Sequence, residues 1–352
     1  MARALQLAER GLFSTSPNPR VGCVLVRDGV VVGEGWHVRA GEAHAEVLAL
    51  QAAGESARGA TAYVTLEPCN HHGRTPPCVD ALLAAGVSRV VAAMEDPNPL
   101  VAGQGMKRLQ AAGVDVSFGL MAAEARELNI GFVSRMTRGR PWLRLKAAAS
   151  LDGRTALNNG QSQWITSAEA RRDGHRWRAR ACAILTGYGT VRDDDPQLNV
   201  RDIETTRQPL RVVVDSRLET PPTARVLQGG KTLIVAAIDD PARATALQAR
   251  GAEVLLLANP SGKVDLAALL QELGRRGINE VHVEAGFKLN GSLLREGLVD
   301  ELLLYLAPSL IGDASRGLFN LPELATLSEK RVLQWRDVRQ VGADLRVIAR
   351  LT

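Results

Sequence analysis

Apolar and polar positions alternate along this chain in short runs, and glycine, proline and aspartate break the runs apart. Arg20 to Val26 and Val30 to Glu34 read as two strands joined at Asp28-Gly29, a favoured hairpin pair. Ala43 to Ala53 is helix-forming and stops at Gly54, which suits the residue after a helix C-terminus. Thr61 to Leu66 and Arg89 to Met94 are strand-like, and between them Val79 to Ala85 reads as a helix stopped by Gly86. A helix near Gly105 to Ala112 and a strand from Val114 to Phe118 follow, and Met1 to Gly11 has the pattern of a short amphipathic helix. Helices packed on a sheet, an α/β domain, are the expected result.

Met121 to Arg140 is again helical and ends in Arg138-Gly139-Arg140-Pro141. The domain boundary is placed there, giving domains 1–139 and 140–352. Arg135, Arg138, Arg140, Arg144 and Lys146 make this stretch basic, as a solvated linker would be. Strands are expected at Leu143–Ala149, Ala181–Thr186, Leu210–Asp215, Thr232–Ala236, Val254–Leu257, Glu280–Glu284 and Glu301–Ala307, with two more near the end. Thr166-Ser167-Ala168-Glu169 reads as a capping box opening an Arg-rich helix to about Arg180, and a further helix covers roughly Asp265 to Gly274. The second domain is therefore also α/β.

Composition narrows the function classes. With 352 residues, 45% hydrophobic and 23% charged, the chain suits two soluble globular domains. A net charge of +5 suits anionic small substrates, and 4% aromatics leaves few stacking platforms for nucleic acid. Four cysteines form no disulfide framework, so a reducing cytoplasm is expected. No run of 18 apolar residues would span a membrane, and no signal-peptide core is present.

The chemistry concentrates in His44-Ala45-Glu46, Pro68-Cys69 and Cys78. Zinc deaminases use an H-x-E, then P-C and a second Cys, with the Glu as acid/base and not as ligand. Three protein ligands leave the fourth metal position open for water. The spacing departs from P-C-x-x-C, because eight residues separate Cys69 and Cys78. His71 and His72 are thus rival ligands. Cys78 is preferred because it opens a helix, whose dipole favours a thiolate. A closed structural zinc site would want a fourth ligand, and an RNA deaminase would want a basic, aromatic-rich face.

Two glycine-rich segments follow apolar strands in the second domain, Gly187-Tyr188-Gly189-Thr190 and Gly286 to Ser292. Either they hold a phosphate or they are tight structural turns; neither matches a dinucleotide or P-loop motif. Trp164 either covers a cofactor ring or packs a core.

Taken with Pro17-Asn18-Pro19, Thr65-Leu66-Glu67-Pro68-Cys69, His72-Gly73-Arg74-Thr75-Pro76-Pro77-Cys78, Ser150-Leu151-Asp152-Gly153-Arg154, Ser162-Gln163-Trp164-Ile165-Thr166 and Asp194-Asp195-Pro196, these segments give a resemblance that runs nearly end to end. The chain resembles the RibD family of bifunctional riboflavin-biosynthesis deaminase-reductases. The resemblance implies an N-terminal cytidine-deaminase-like three-layer domain and a C-terminal dihydrofolate-reductase-like domain. It also implies a phosphorylated ribosylamino-pyrimidine substrate, zinc and NADPH as cofactors, and a homo-oligomer. Carried over residue by residue, it makes His44, Cys69 and Cys78 zinc ligands and Glu46 the proton carrier, with Asn18 and His37 lining the pyrimidine pocket. Ser162, Arg178, Leu198, Arg201 and Glu284 match substrate positions. Ala148, Trp164, Thr190, Asp194 and Ser216 match cofactor positions, as do Gly286, Phe287, Lys288, Leu289, Asn290, Gly291 and Ser292. Arg217, next to Ser216, could meet a 2′-phosphate.

Overall fold

The computed structural model describes residues 1–72, 76–99 and 101–351, so Gly73-Arg74-Thr75 of the deaminase-like motif lie outside the described residues. The chain divides into two compact units, Met1–Arg140 and Pro141–Thr352.

The first unit contains α1 (Ala2–Glu9), β1 (Gly22–Arg27), β2 (Val30–Trp36), α2 (Ala45–Ala53), β3 (Thr61–Val64) and α3 (Cys78–Ala84). It continues with β4 (Arg89–Ala92), α4 (Gln104–Ala111), β5 (Asp115–Phe118), α5 (Ala122–Leu128) and α6 (Ile130–Arg138). The sheet order is β2-β1-β3-β4-β5, with β1 antiparallel to β2 and β3 and the rest parallel. Asp28 and Gly29 both have positive φ, as the tight hairpin requires. One core joins the sheet to α2, α3 and α4, and others join its opposite face to α1, α5 and α6. This is the expected three-layer arrangement. The expected single helix over 121–140 is two helices. Asn129 breaks it by turning its buried side chain to the backbone of Arg20, accepting from the N–H at 2.8 Å and donating to the carbonyl at 2.9 Å.

The second unit begins with β6 (Trp142–Ser150), β7 (Arg154–Ala156), α7 (Ala168–Arg180), β8 (Ala183–Gly187), α8 (Tyr188–Asp194) and β9 (Leu210–Val214). Then come β10 (Thr232–Ala236), α9 (Pro241–Gln248), β11 (Ala252–Leu256), α10 (Leu266–Arg275), β12 (Glu280–Glu284) and α11 (Phe287–Arg295). The last elements are β13 (Glu301–Ala307), β14 (Arg316–Gly317), β15 (Leu333–Val341) and β16 (Asp344–Leu351). Nine strands form one sheet in the order β11-β10-β9-β8-β12-β6-β13-β16-β15. Only the β13–β16 and β16–β15 pairs are antiparallel.

Three local expectations change. Ser167, not Thr166, caps α7, and Asp344 takes the part expected of Glu169. Ser167 Oγ accepts from the Ala170 amide, while Asp344 accepts from both the Ser167 amide and hydroxyl. The glycine-rich segments are helix starts, not tight structural turns: Gly187 and Gly286 occupy the N-cap positions of α8 and α11. The basic stretch is not a solvated linker throughout. Arg144 is 2% exposed, pairs with Glu280 and Glu301, and stacks on Trp177 at 4.4 Å.

That pairing explains how an Arg-rich helix packs on a sheet. β6, β12, β13 and β16 present Arg144, Glu280, Glu301 and Arg350 on one face, and α7 adds Arg178 and Arg180. Each buried carboxylate meets at least one guanidinium, which offsets much of the desolvation that an unpaired charge would suffer.

Candidate active sites

In the first unit, His44 occupies the N-cap position of α2 and Glu46 lies in its first turn. Glycines let α2 lie directly on β2: a Cβ at Gly35 would stand 2.3 Å from the Ala45 carbonyl oxygen. His44 is thereby brought to Cys69, which follows β3, and to Cys78, the first residue of α3. His44 Nδ1 is 3.2 Å from Cys78 Sγ and 3.5 Å from Cys69 Sγ, and all three ligand atoms lie within 4.8 Å of one another. Metal distances of about 2.0 Å to nitrogen and about 2.3 Å to sulfur put tetrahedral ligand atoms at about this separation, so donors and spacing fit zinc. Among the described residues no other such cluster occurs, and His71 and His72 are not in it.

The two thiols are linked by a hydrogen bond. A hydrogen bond from Cys78 lowers Cys69, and the same bond raises Cys78. Glu46 is 3% exposed, and burial, followed by the charge of Cys69, raises it to about 7. A carboxyl poised there can both take and give a proton at neutral pH. A pocket of about 450 Å³ is lined by Asn18, His37, His44, Glu46 and Cys69, with Asp96 and Asn98 on its wall. His37 Nδ1 lies 3.1 Å from the Ala43 carbonyl, so Nδ1 carries the proton and Nε2 accepts from Asn18 Nδ2, also at 3.1 Å.

Sequence reasoning missed Glu67. It is buried, and its carboxylate accepts from the amides of Asp96, Gly103, Gly105 and Met106 at 2.9–3.4 Å. It thereby ties the Pro68-Cys69 turn to the start of α4. Its partners lie about 30 to 40 positions away, so no local pattern announces it. Glu67→Ala is expected to cost about 3 kcal/mol, because several charge-assisted bonds are lost together. Thermal denaturation combined with zinc content per chain would show it.

In the second unit a cleft of about 940 Å³ runs past the ends of β8 and β12 and over the middle of β6. Ala148, Ser162, Trp164, Arg178, Thr190, Asp194, Leu198, Arg201, Glu284 and the segment Gly286 to Asn290 all line it. Ser216, Gly291 and Ser292 do not. Ser216 Oγ accepts from the Val264 amide, Ser292 Oγ donates to the Lys288 carbonyl, and Gly291 packs on the Asn320 backbone. Trp164 is 67% exposed, with the Arg171 guanidinium 4.4 Å over its ring, so it packs no core.

Arg178 is the best-held group in the cleft. It donates to both Glu284 oxygens, at 2.5 and 2.8 Å, and to the Asn199 carbonyl at 3.0 Å. Burial would raise Glu284, but the charge and hydrogen bonds of Arg178 outweigh it and hold the carboxyl well below its ordinary range. Lys146, also missed, lies 4.0 Å from Glu284, and burial lowers its pKa. At the other end, the first amides of α11 follow Gly286 with no side-chain cap, and the buried Asn290 Oδ1 has no partner among the described residues. An open helix N-terminus beside a free buried acceptor fits an anionic, hydrogen-bonding cofactor such as a dinucleotide.

Family comparison agrees with this two-part layout. Residues 1–94 match the cytidine and deoxycytidylate deaminase zinc-binding region, and residues 141–347 match the RibD C-terminal domain. The chain belongs to the RibD family. The riboflavin biosynthesis protein RibD of Escherichia coli K12 is 53% identical, over 98% of this chain and 96% of that one. That of Haemophilus influenzae is 46% identical, over 99% and 95%. Among solved structures, an Acinetobacter baumannii RibD superposes with a TM-score of 0.93 at 45% identity, covering 100% of this chain and 97% of that one. A Thermotoga maritima diaminohydroxyphosphoribosylaminopyrimidine deaminase/5-amino-6-(5-phosphoribosylamino)uracil reductase does so at 0.88 and 32%, with the same coverage. As a RibD family member the chain is a bifunctional enzyme of riboflavin biosynthesis, with a zinc-dependent deaminase and an NADPH-dependent reductase.

Proposed function

We propose that the first unit removes the 2-amino group of 2,5-diamino-6-ribosylamino-4(3H)-pyrimidinone 5′-phosphate. The second unit then reduces the ribosyl group of that product to ribityl. Support for the first step comes from one observation above all: a three-donor metal site and a buried carboxyl open onto the same pocket. In the deamination, water replaces the ring amine, which leaves as ammonia. Bound zinc supplies Lewis-acid activation of water. His44, Cys69 and Cys78 hold it. Glu46 takes up a proton and returns it to the departing amine. Asn18, its amide nitrogen turned to His37, keeps its carbonyl oxygen to accept from the ring.

In the cleft, bound NADPH supplies the hydride. Thr190, Asp194, Trp164, Ala148 and the start of α11 hold it. Arg178 uses three of its five N–H donors on Glu284 and Asn199, which leaves two for the substrate phosphate, beside Arg201. Mass spectrometry of products made with and without NADPH tests this reading. Deaminated product alone without NADPH, and ribityl product with it, are expected; a ribityl product that still carries the 2-amino group would reverse the order. Stripping the metal with a chelator should abolish deamination while reduction of already deaminated substrate continues.

The reading extends to setting and partners. Four cysteines with no disulfide between them suit a reducing cytoplasm, and no helix among the described residues is long and apolar enough to cross a membrane. Self-association fits the edge of the nine-stranded sheet. On β15 and β16, Trp335, Val338 and Leu345 share one face at 65%, 55% and 42% exposure, and β15 is the last strand of the sheet. Exposed apolar edges of this kind invite pairing. Trp335→Glu is expected to lower the mass read by light scattering, with both activities per chain measured alongside.

A further inference from the structure

Leu198 and Arg201 lie on a segment without helix or strand, between α8 and β9. Its backbone is unusual: Asp195, Leu198 and Asp202 all have positive φ, at 39°, 48° and 63°. Such conformations are strained for residues other than glycine and persist only where the surroundings hold them. Here side chains do the holding, one backbone group after another. The Asn199 carbonyl accepts from Arg178 Nη1 at 3.0 Å. Gln208 takes both groups of Val200, accepting from its N–H at 2.8 Å and donating to its carbonyl at 3.1 Å. The Arg201 N–H donates to His175 Nδ1 at 3.3 Å. Four consecutive backbone groups are thus satisfied by three side chains, where in a sheet they would need a strand on either side.

We infer that His175 and Gln208 are positioning residues of the reductase, and that they present Leu198 and Arg201 to the substrate by gripping the main chain behind them. Neither lines the cleft, whereas Gln197, Leu198 and Arg201 do. His175 stands one turn before Arg178 on α7, so a single helix holds both arginines of the proposed phosphate grip, one by its own side chain and one through a backbone amide. The ring must be neutral to accept through Nδ1. Burial first, then the charges of Arg178 and Arg201, lowers His175 to about 4, which keeps that acceptor free at neutral pH. Asp202 lies 3.8 Å from Nε2 on the ring's other side. The placement of substrate by Arg201 rests on the proposed reductase reading; the grip itself does not.

The test uses the full-length enzyme, with deaminated substrate and NADPH varied separately. His175→Leu and Gln208→Leu should each raise KM for the ribosylamino phosphate by about tenfold or more, as small misplacements of binding groups do. KM for NADPH and the deamination rate should stay as in the unchanged enzyme. His175→Asn keeps an acceptor near the Nδ1 position and should restore most of the lost affinity. Amide exchange of residues 196–208, read by mass spectrometry without any substrate, should accelerate in both Leu variants. Unchanged KM in both Leu variants, or an Asn variant as poor as Leu, would overturn the inference. Faster exchange in an enzyme that never reduces this substrate would keep the grip and discard the substrate reading.

Discussion

Replacing Glu46 by glutamine should lower deamination by about 1,000-fold, the scale at which a positioned general acid–base contributes. Glutamine preserves shape and neutral polarity, so the three metal ligands stay in place and zinc content should be unchanged. What is lost is the ability to accept a proton in a site where Glu46 is buried and held near neutrality. Reduction of deaminated substrate takes place in the other unit and should proceed at the original rate. Ammonia release and NADPH oxidation, followed in parallel, separate the two. Equal loss of both activities in a folded, zinc-loaded variant would refute the assignment of separate sites.

Arg178→Ala should have the largest effect on the reductase. It removes a cation that faces Glu284 through two hydrogen bonds and anchors Asn199 through a third. Truncating one partner of a buried, hydrogen-bonded charge pair typically costs about 3 kcal/mol, roughly 100-fold in binding. KM for the phosphorylated substrate is expected to rise by that order. The reductase unit should also melt at lower temperature, because among the described residues Glu284 keeps only Lys146 at 4.0 Å and His282 at 3.4 Å as basic partners. Deamination should be unaffected. A variant with normal KM for the phosphorylated substrate would remove Arg178 from the substrate grip.

The features legible in the sequence are those whose cause is local. The Asp28-Gly29 hairpin is one, because two adjacent residues must both take positive φ. The His44–Cys69–Cys78 cluster is another: Gly54 marks the end of the helix that His44 caps, and Pro77 marks the start of the one that Cys78 opens. Features with distant causes were not legible. Glu67 looks like any glutamate until α4 delivers its amides. The extent of α11 was not legible, because Gly286 and Gly291 suggest a turn running to Ser292, whereas Gly291 lies inside the helix in close contact with Asn320. Arg144 reads as a surface residue, and only the pairing of β6 with β12 and β13 shows why it is buried. The α9 start could have been read, since Asp240 caps it and Pro241 follows at the first helical position.

The charged face beneath α7 bears on how the strands find their places. On the opposite face, Leu143, Leu145, Val281 and Val283 are similar enough in shape to pack at more than one offset. A slip of two residues keeps every side chain on its own face, and so it is the error that apolar packing penalises least. With the charges in place, that slip would carry Glu284 past Lys146 and set His282 against it in place of the carboxylate. Glu284 therefore favours the native alignment of β12 on β6, in which Glu280 also keeps both Arg144 and Arg180. A chain in which both were replaced by leucine would be expected to collapse readily and to mispair often.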